Sequence, residues 1–196
     1  MRVSRSSLIR KIMLRDKHIC PWWLAYTFDN PLRRLLHTPE EIFREYLAPG
    51  MTALDIGCGM GYFSIAMAKM VGEGGRVIAV DIQDKMLDVV DKRAKKAGVA
   101  HRIQLHKSQE DSLGLTAQAD FVLTFWMMHE VPDITRFMEQ IHTLIKPTGK
   151  YLLTEPVMHV DVSRFEEICE CVLRSGFRAL DRPRIAMSRA CVFEKD

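Results

Sequence analysis

The chain has 196 residues, 47% hydrophobic and 27% charged, with a net charge of +3. At roughly 100–200 residues per domain this is one domain with an extension; the balance excludes a disordered chain, and no apolar run approaches the ~20 residues of a membrane span. Five cysteines (Cys20, Cys58, Cys169, Cys171 and Cys191) are odd in number and lack CxxC spacing, which argues against a disulfide framework and for a reducing cytoplasm.

The charge is unevenly placed. Residues 1–17 hold six Arg/Lys against Asp16 alone. Such a segment reads as a tail with a short amphipathic turn, as an Arg- and Ser-rich transit peptide, or as a contact for an anionic surface or nucleic acid. An aromatic cluster follows at Trp22, Trp23, Tyr26 and Phe28. It fits either a helix packed on the core or a lid over a pocket. TPEEIFREYL, residues 38–47, carries the signs of a capped helix: Thr38 as N-cap, Pro39 at the first position and Glu41 to complete a capping box.

From residue 51 the chain alternates. Strands are expected at 51–56, 76–82, 102–106, 120–125 and 149–155, with short strand-like runs at 177–180 and 190–193. Between them lie helical patterns. One covers about 61–71. Another starts at Asp84 as cap and ends before Gly98, with favourable i,i+4 pairs Asp88–Lys92 and Asp91–Lys95. A third starts at Asp133 as cap and is ended by Lys146-Pro147, and a fourth covers 163–175 and is closed by Gly176. Apolar strands alternating with helices imply an α/β fold, a mostly parallel sheet covered on both faces. Ligands of such sheets bind beyond the carboxyl ends of the strands.

The informative segment is ALDIGCGMGYF, residues 53–63, placed after the first strand and before a helix N-terminus. Glycines let backbone approach a ligand, and the helix end offers unpaired N–H groups. The spacing is Gly57-x-Gly59-x-Gly61, then Tyr62, where a dinucleotide fingerprint needs glycine. Asp55, two residues before Gly57, suits an ammonium group better than a diphosphate. Asp81 ends the second strand and can take both hydroxyls of a ribose. The implied ligand has a ribose and an amino group and lacks a diphosphate.

This combination resembles the class I S-adenosylmethionine-dependent methyltransferases, strongly over residues 51–155 and weakly over 30–195. The phrase DNPLRRLLHTPEEI resembles a branch of small prokaryotic members. The resemblance implies a three-layer Rossmann-like sandwich with seven strands, the last antiparallel. It implies a basic extension and helical cap at 1–50 and the cofactor domain at 51–196. The cofactor it implies is S-adenosylmethionine, leaving as S-adenosylhomocysteine. Asp55, Gly57, Cys58, Gly59 and Gly61 then hold its methionine part and ribose. Asp81 takes the ribose hydroxyls, and Ile82 and Met86 lie against the adenine side. Ser108, Gln109 and Glu110 stand where the family shows Gly-Asp-Ala, so Gln109 or Glu110 receives the adenine amino group. Phe125 begins the turn past the methyl group, and Tyr26, Phe28 and Trp126 are the aromatics placed near it.

Methyl transfer is an in-line displacement that needs alignment above all, and a base only where the nucleophile carries a proton. His129, after the fourth strand, is the candidate base; the other reading has it orient the loop 125–133. His37 and Glu155 are further pocket candidates. No metal site is expected, because Cys169 and Cys171 point apart on a helix and His18-Ile19-Cys20 lacks a second ligand pair. The expected acceptor is a small molecule, since no second domain or long insertion is apparent to grip a macromolecule. The alternatives are an RNA or protein methyltransferase anchored by the basic N-terminus, and a non-catalytic S-adenosylmethionine-binding protein. The sequence carries no signature of oligomeric state.

Overall fold

A computed structural model describes residues 36–196. Its centre is β1 (Thr52–Ile56), where every residue after Thr52 is buried. A strand buried on both sides needs apolar neighbours on both faces. β2 (Arg76–Asp81) and β4 (Ala119–Phe125) flank it, each parallel to β1 and mostly buried, and the helices cover its two faces. β3 (Ile103–Lys107) pairs parallel with β2 and has only intermediate and exposed residues, as befits an edge. β5 (Ile145–Pro156) pairs parallel with β4. The chain then turns back: β7 (Ser188–Lys195) inserts antiparallel between β5 and β6 (Phe177–Asp181). The sheet order is β3-β2-β1-β4-β5-β7-β6.

Helices cover both faces, giving three layers. On one face α1 (Pro39–Phe43), α2 (Tyr62–Met70) and α3 (Asp84–Lys96) pack Phe43, Phe63, Met67 and Ala94 against Ala53, Phe121, Leu123 and Val192. On the other, α4 (Ile134–Leu144) and α5 (Val162–Arg174) pack Phe137, Ile141, Phe165 and Ile168 against Leu54, Val122, Tyr151 and Phe193. Cys169 belongs to this second core. Tyr151 is fully buried, and its hydroxyl pairs with Thr124 Oγ1 at 2.8 Å, so the ring is buried without an orphaned polar group. At the opposite end of the sheet from the Gly-rich loop, Asp120 ties three strands: it accepts Thr52 N–H at 2.8 Å and Lys146 Nζ at 2.7 Å.

Several local expectations are corrected. Thr38 makes no side-chain cap, so the capping box with Glu41 does not form, and α1 ends at Phe43 rather than at 47. Phe43 and Leu47 are nevertheless buried on the core, as their spacing requires. The N-cap of α3 is Gln83, not Asp84; Asp84 sits in the first turn and pairs with Lys107 at 2.5 Å. Of the two predicted pairs on α3, Asp91–Lys95 is seen at 2.7 Å. α4 stops at Leu144, and β5 begins at once with Ile145 because a register shift between Ala119 and Phe121 lets β4 pair with it early. Asp133 caps α4 as expected, accepting Arg136 N–H at 3.0 Å. Asp161 caps α5 the same way, accepting Arg164 N–H at 2.8 Å. Among the described residues no helix is long and apolar enough to cross a membrane, and no group of His, Cys, Asp and Glu is arranged to hold a metal ion. Trp22, Trp23, Tyr26, Phe28 and the basic residues 1–17 lie outside the described residues.

Candidate active site

The carboxyl ends of β1, β2, β4 and β5 meet at one edge of the sheet, and the predicted residues gather there in two groups. The first is built on backbone. After β1 the chain adopts left-handed conformations at Gly57, Gly59 and Gly61, with φ of 73°, 52° and 77°. Gly57 and Cys58 both donate to Val80 O, at 2.9 and 3.0 Å, which pins the loop to β2. Gly61 is closely packed: a Cβ there would lie 2.9 Å from Val90 Cγ2 on α3. Gly57 is packed too, against Met127 at 2.8 Å. Gly59 differs, because a Cβ there would meet nothing within 4 Å. Its backbone therefore faces open space at the mouth of the loop.

Asp81, almost wholly buried at the end of β2, closes this loop from the side. Its Oδ2 accepts Gly59 N–H at 3.0 Å and its Oδ1 accepts Gln83 N–H at 2.9 Å. Burial raises its pKa, and the backbone N–H groups of Gln83, Gly59 and Ile82 offset that only in part. A carboxylate has about four lone-pair sites, so Asp81 keeps acceptor capacity toward the mouth. Gly61 is the N-cap of α2 and offers no side-chain cap, leaving the first N–H groups of the helix for a ligand. Asp55 is buried and is engaged by Ser64 Oγ of α2. This bond fastens the helix to β1 directly beneath the loop. Burial pushes the Cys58 thiol well up, with Asp55 and Asp81 adding to it, so this cysteine is a neutral packing group. Met86 is buried and Ile82 partly so, while Ser108 is buried and donates its N–H to Asp81 O at 3.1 Å. Gln109 and Glu110 are exposed in the turn that follows β3.

The second group is built on side chains from distant segments. Trp126 follows β4 with φ of 62°, an uncommon conformation for a bulky residue and one that recurs at functional sites. It is held from both ends: its N–H donates to Thr154 O at 2.7 Å and its Nε1 donates to Ser188 Oγ at 2.9 Å. Phe125 packs edge-on or tilted against His37, Phe63 and Trp126, with ring centroids 4.4–5.4 Å apart. His37 lies in the same cluster and is buried, its Nε2 2.8 Å from Ala186 O. Tyr62 of α2 donates its hydroxyl to His37 O at 2.7 Å, which straps the segment before α1 to the Gly-rich loop.

Two residues on, the chain turns through a short 3-10 helix, Met128–Glu130, with Met128 buried in the core. Glu155, at the end of β5 and 0% exposed, organises that turn. Its Oε1 accepts Met128 N–H at 2.9 Å, and its Oε2 accepts His129 N–H at 3.3 Å and faces His129 Nδ1 at 2.5 Å. The second ring nitrogen of His129 is 4.0 Å from Glu130. Burial works against a charged ring here. The Glu155 hydrogen bond, with the charges of Glu155 and Glu130, outweighs it, and the pKa of His129 lies above its ordinary 6.5. The sequence offers His129 and Glu155 as separate candidates; the structure brings them together. Met127, Ser64 and Ser188 have no sequence signal, and Tyr62 shows only as a departure from a dinucleotide fingerprint, because each works through a partner 9 to 70 residues away in the chain.

A methyltransferase-domain family model matches residues 47–177. Relatives include a demethylmenaquinone methyltransferase of Lactobacillus johnsonii, 37% identical over 107 residues, covering 54% of this chain and 44% of that protein. A ubiquinone biosynthesis O-methyltransferase of Xanthomonas axonopodis pv. citri is 29% identical over 134 residues, covering 68% of this chain and 55% of that protein. The chain spans about half the length of these relatives. Among solved structures, a SAM-dependent methyltransferase from Aquifex aeolicus superposes with a TM-score of 0.80 at 25% identity, covering 90% of this chain and 98% of that one. With that match over more than half its length, and with the sheet order and Gly-rich loop described above, the chain belongs to the methyltransferase-domain family.

Proposed function

We propose that the protein transfers a methyl group from S-adenosylmethionine to a small-molecule acceptor whose nucleophile carries a proton. The observation that carries the cofactor assignment is the pairing of Gly59 with Asp81. An open backbone cradle faces a carboxylate that retains acceptor sites, and that carboxylate suits ribose hydroxyls and would repel a diphosphate. Gly57, Gly59 and the first turn of α2 hold the methionine part. Asp81 takes the ribose hydroxyls. Ile82, Met86 and Ser108 line the adenine side with Gln109 or Glu110. Asp55 works through Ser64 and the loop. When bound, the cofactor supplies a sulfonium-activated methyl group for in-line displacement.

In this reading the rest of the chemistry belongs to the β4–α4 turn. Glu155 accepts a proton-bearing Nδ1 and so leaves His129 Nε2 as the basic nitrogen. Nε2 takes the proton from the acceptor, and the buried Glu155 carboxylate stabilises the resulting imidazolium. Trp126 and Phe125 give the methyl group aromatic neighbours. The two named relatives act in demethylmenaquinone methylation and ubiquinone biosynthesis, which supports an acceptor of small-molecule size. Residues 1–50 serve as extension and helical cap to the cofactor domain of 51–196. The four cysteines among the described residues are free thiols, which fits a reducing cytoplasm.

The test is calorimetric titration of S-adenosylmethionine into the wild type and Asp81→Ala. The expected result is at least about a tenfold loss of affinity, since two charge-assisted hydrogen bonds disappear. Equal affinity in the two proteins overturns the assignment.

A further inference from the structure

Beside Glu155 a second ionic residue faces the same way. Glu155 and Arg189 are register partners on antiparallel β5 and β7. Directly opposed residues of such a pair present their side chains on one face. The alternation along both strands agrees: Leu153 and Tyr151 on β5, with Cys191 and Phe193 on β7, all enter the core under α4 and α5. Glu155 already accepts three N–H groups from the turn at Met128 and His129. Arg189 is the opposite case. The side chain is partly buried, and its Nη1 is fully buried with no hydrogen-bond partner. A guanidinium is all donors and does not shed its proton, so this N–H is kept at a cost to the fold. A buried donor of this kind calls for an acceptor brought from outside, and the guanidinium fork matches the paired oxygens of a carboxylate or a phosphate.

Its place in the sheet separates this group from the cofactor's own carboxylate. β4 and β5 stand between β1 and β7. At about 4.8 Å per strand, Arg189 lies roughly 14 Å from the strand that carries the Gly-rich loop. It lies instead on the His129 side, one strand from Glu155. Just beyond the same strand ends the surface turns apolar: Val157 N–H donates to Met187 O at 3.0 Å, and Val157, Met158 and Met187 are all exposed.

We propose that Arg189 is a specificity-determining residue that anchors an anionic group of the methyl acceptor, a carboxylate or a phosphate. The acceptor is then an organic anion with an apolar body, carrying a protonated nucleophile within reach of His129. The inference rests on the reading of the β4–β5–β7 end as the acceptor site. Anchoring the anion on β7 while His129 sits after β4 fixes the acceptor at two points.

The experiment titrates benzoate, phenyl phosphate and neutral benzamide into the full chain, with and without saturating S-adenosylhomocysteine. At least one anion is expected to bind saturably and at least about tenfold more tightly than benzamide, as a charge-assisted pair provides. The tighter anion identifies the oxygen group. Arg189→Gln is expected to lose that preference, keep its S-adenosylhomocysteine affinity, and show an unchanged or raised Tm, because it removes a partly buried cation whose buried Nη1 has no partner. No preference for either anion in the wild type overturns the proposal, as does an undiminished preference in Arg189→Gln. A fall in Tm of several degrees in Arg189→Gln also overturns it, since it would make Arg189 a structural partner. Failure of the cofactor reading shows separately, as absent heat with S-adenosylhomocysteine, while the titration without it still tests the anion site.

Discussion

The two halves of the site are built from different materials. The half over β1 and β2 is backbone: three left-handed glycines, a helix N-terminus and one carboxylate that clamps the loop. The half over β4, β5 and β7 is side chains: Trp126, His129, Glu155 and Arg189, each placed by a different strand or turn. In the proposed function, the backbone cradle recognises what every reaction of this kind shares. A side-chain cluster can change without disturbing it. The difference predicts that substitutions in the first half will lower cofactor affinity, with a folding cost wherever the glycine is packed, and that substitutions in the second will act on the acceptor and on turnover with cofactor affinity unchanged.

The largest effect is expected from Gly61→Val. Its φ of 77° penalises any branched residue, and the new Cβ would lie within 3.0 Å of two Val90 methyl carbons. Left-handed strain and overpacking together cost about 2–5 kcal/mol. Against a total stability of about 5–15 kcal/mol that is a large share. Urea unfolding should show a much lower midpoint, with S-adenosylmethionine binding lost as well. A near-native midpoint would mean that α3 can withdraw and that the loop is not the rigid half.

His129→Ala tests the other side of the contrast. Turnover should fall about 10²-fold with cofactor affinity unchanged, as for a lost general base. Near-normal turnover would reduce His129 to a fastener of the 125–133 turn. Glu155→Gln then asks what sets the base. A raised pKa means that His129 is charged, and inactive as a base, below a point above 6.5, so kcat/KM should climb with pH through that point. Removing the Glu155 charge leaves burial to dominate, and the climb should move to lower pH. The same sign governs stability: the charged His129–Glu155 pair supports the fold fully below about pH 6.5, and that support fades as pH rises through the folded-state value. Glu155→Gln should therefore lose most stability on the acid side. A pH profile that does not move would detach Glu155 from the proton.

This contrast also explains what the sequence disclosed. The fold was legible because continuous apolar strands and 3.6-period helices are local signals, and Asp133 announced its own cap. The half proposed for the cofactor is a local signal for the same reason, since Gly57, Gly59, Gly61 and Asp81 fall within one strand–helix–strand unit. The Thr38 capping box failed because tertiary packing of Phe43 and Leu47, not the cap, holds that segment. The early start of β5 was hidden in a register shift of its partner strand. The half proposed for the acceptor is visible in the sequence only in pieces. His129 and Glu155 stand 26 residues apart, and Arg189 a further 34 along the chain. The pairing of β4 with β5 brings His129 to Glu155, and the insertion of β7 beside β5 brings Arg189, and no local pattern encodes a register between strands so far apart.

The smallest expected effect on folding is the sharpest test of the contrast. Gly59→Ala keeps a left-handed residue at φ of 52° but adds a methyl group that meets nothing within 4 Å. The cost to the protein without ligand is then strain alone, about 1–2 kcal/mol. That is less than for Gly61→Val, where the same strain is joined by a collision. Cofactor affinity should not follow this ranking. The added methyl group projects into the space that the backbone leaves open, so S-adenosylhomocysteine binding should fall by well over the factor of ten that 1.4 kcal/mol represents. Unfolding and titration of the two variants side by side separate a glycine kept for packing from one kept for a ligand. If Gly59→Ala binds S-adenosylhomocysteine as the wild type does, the open face of the loop is not where the cofactor lies, and the backbone half would have to be redrawn around Gly57.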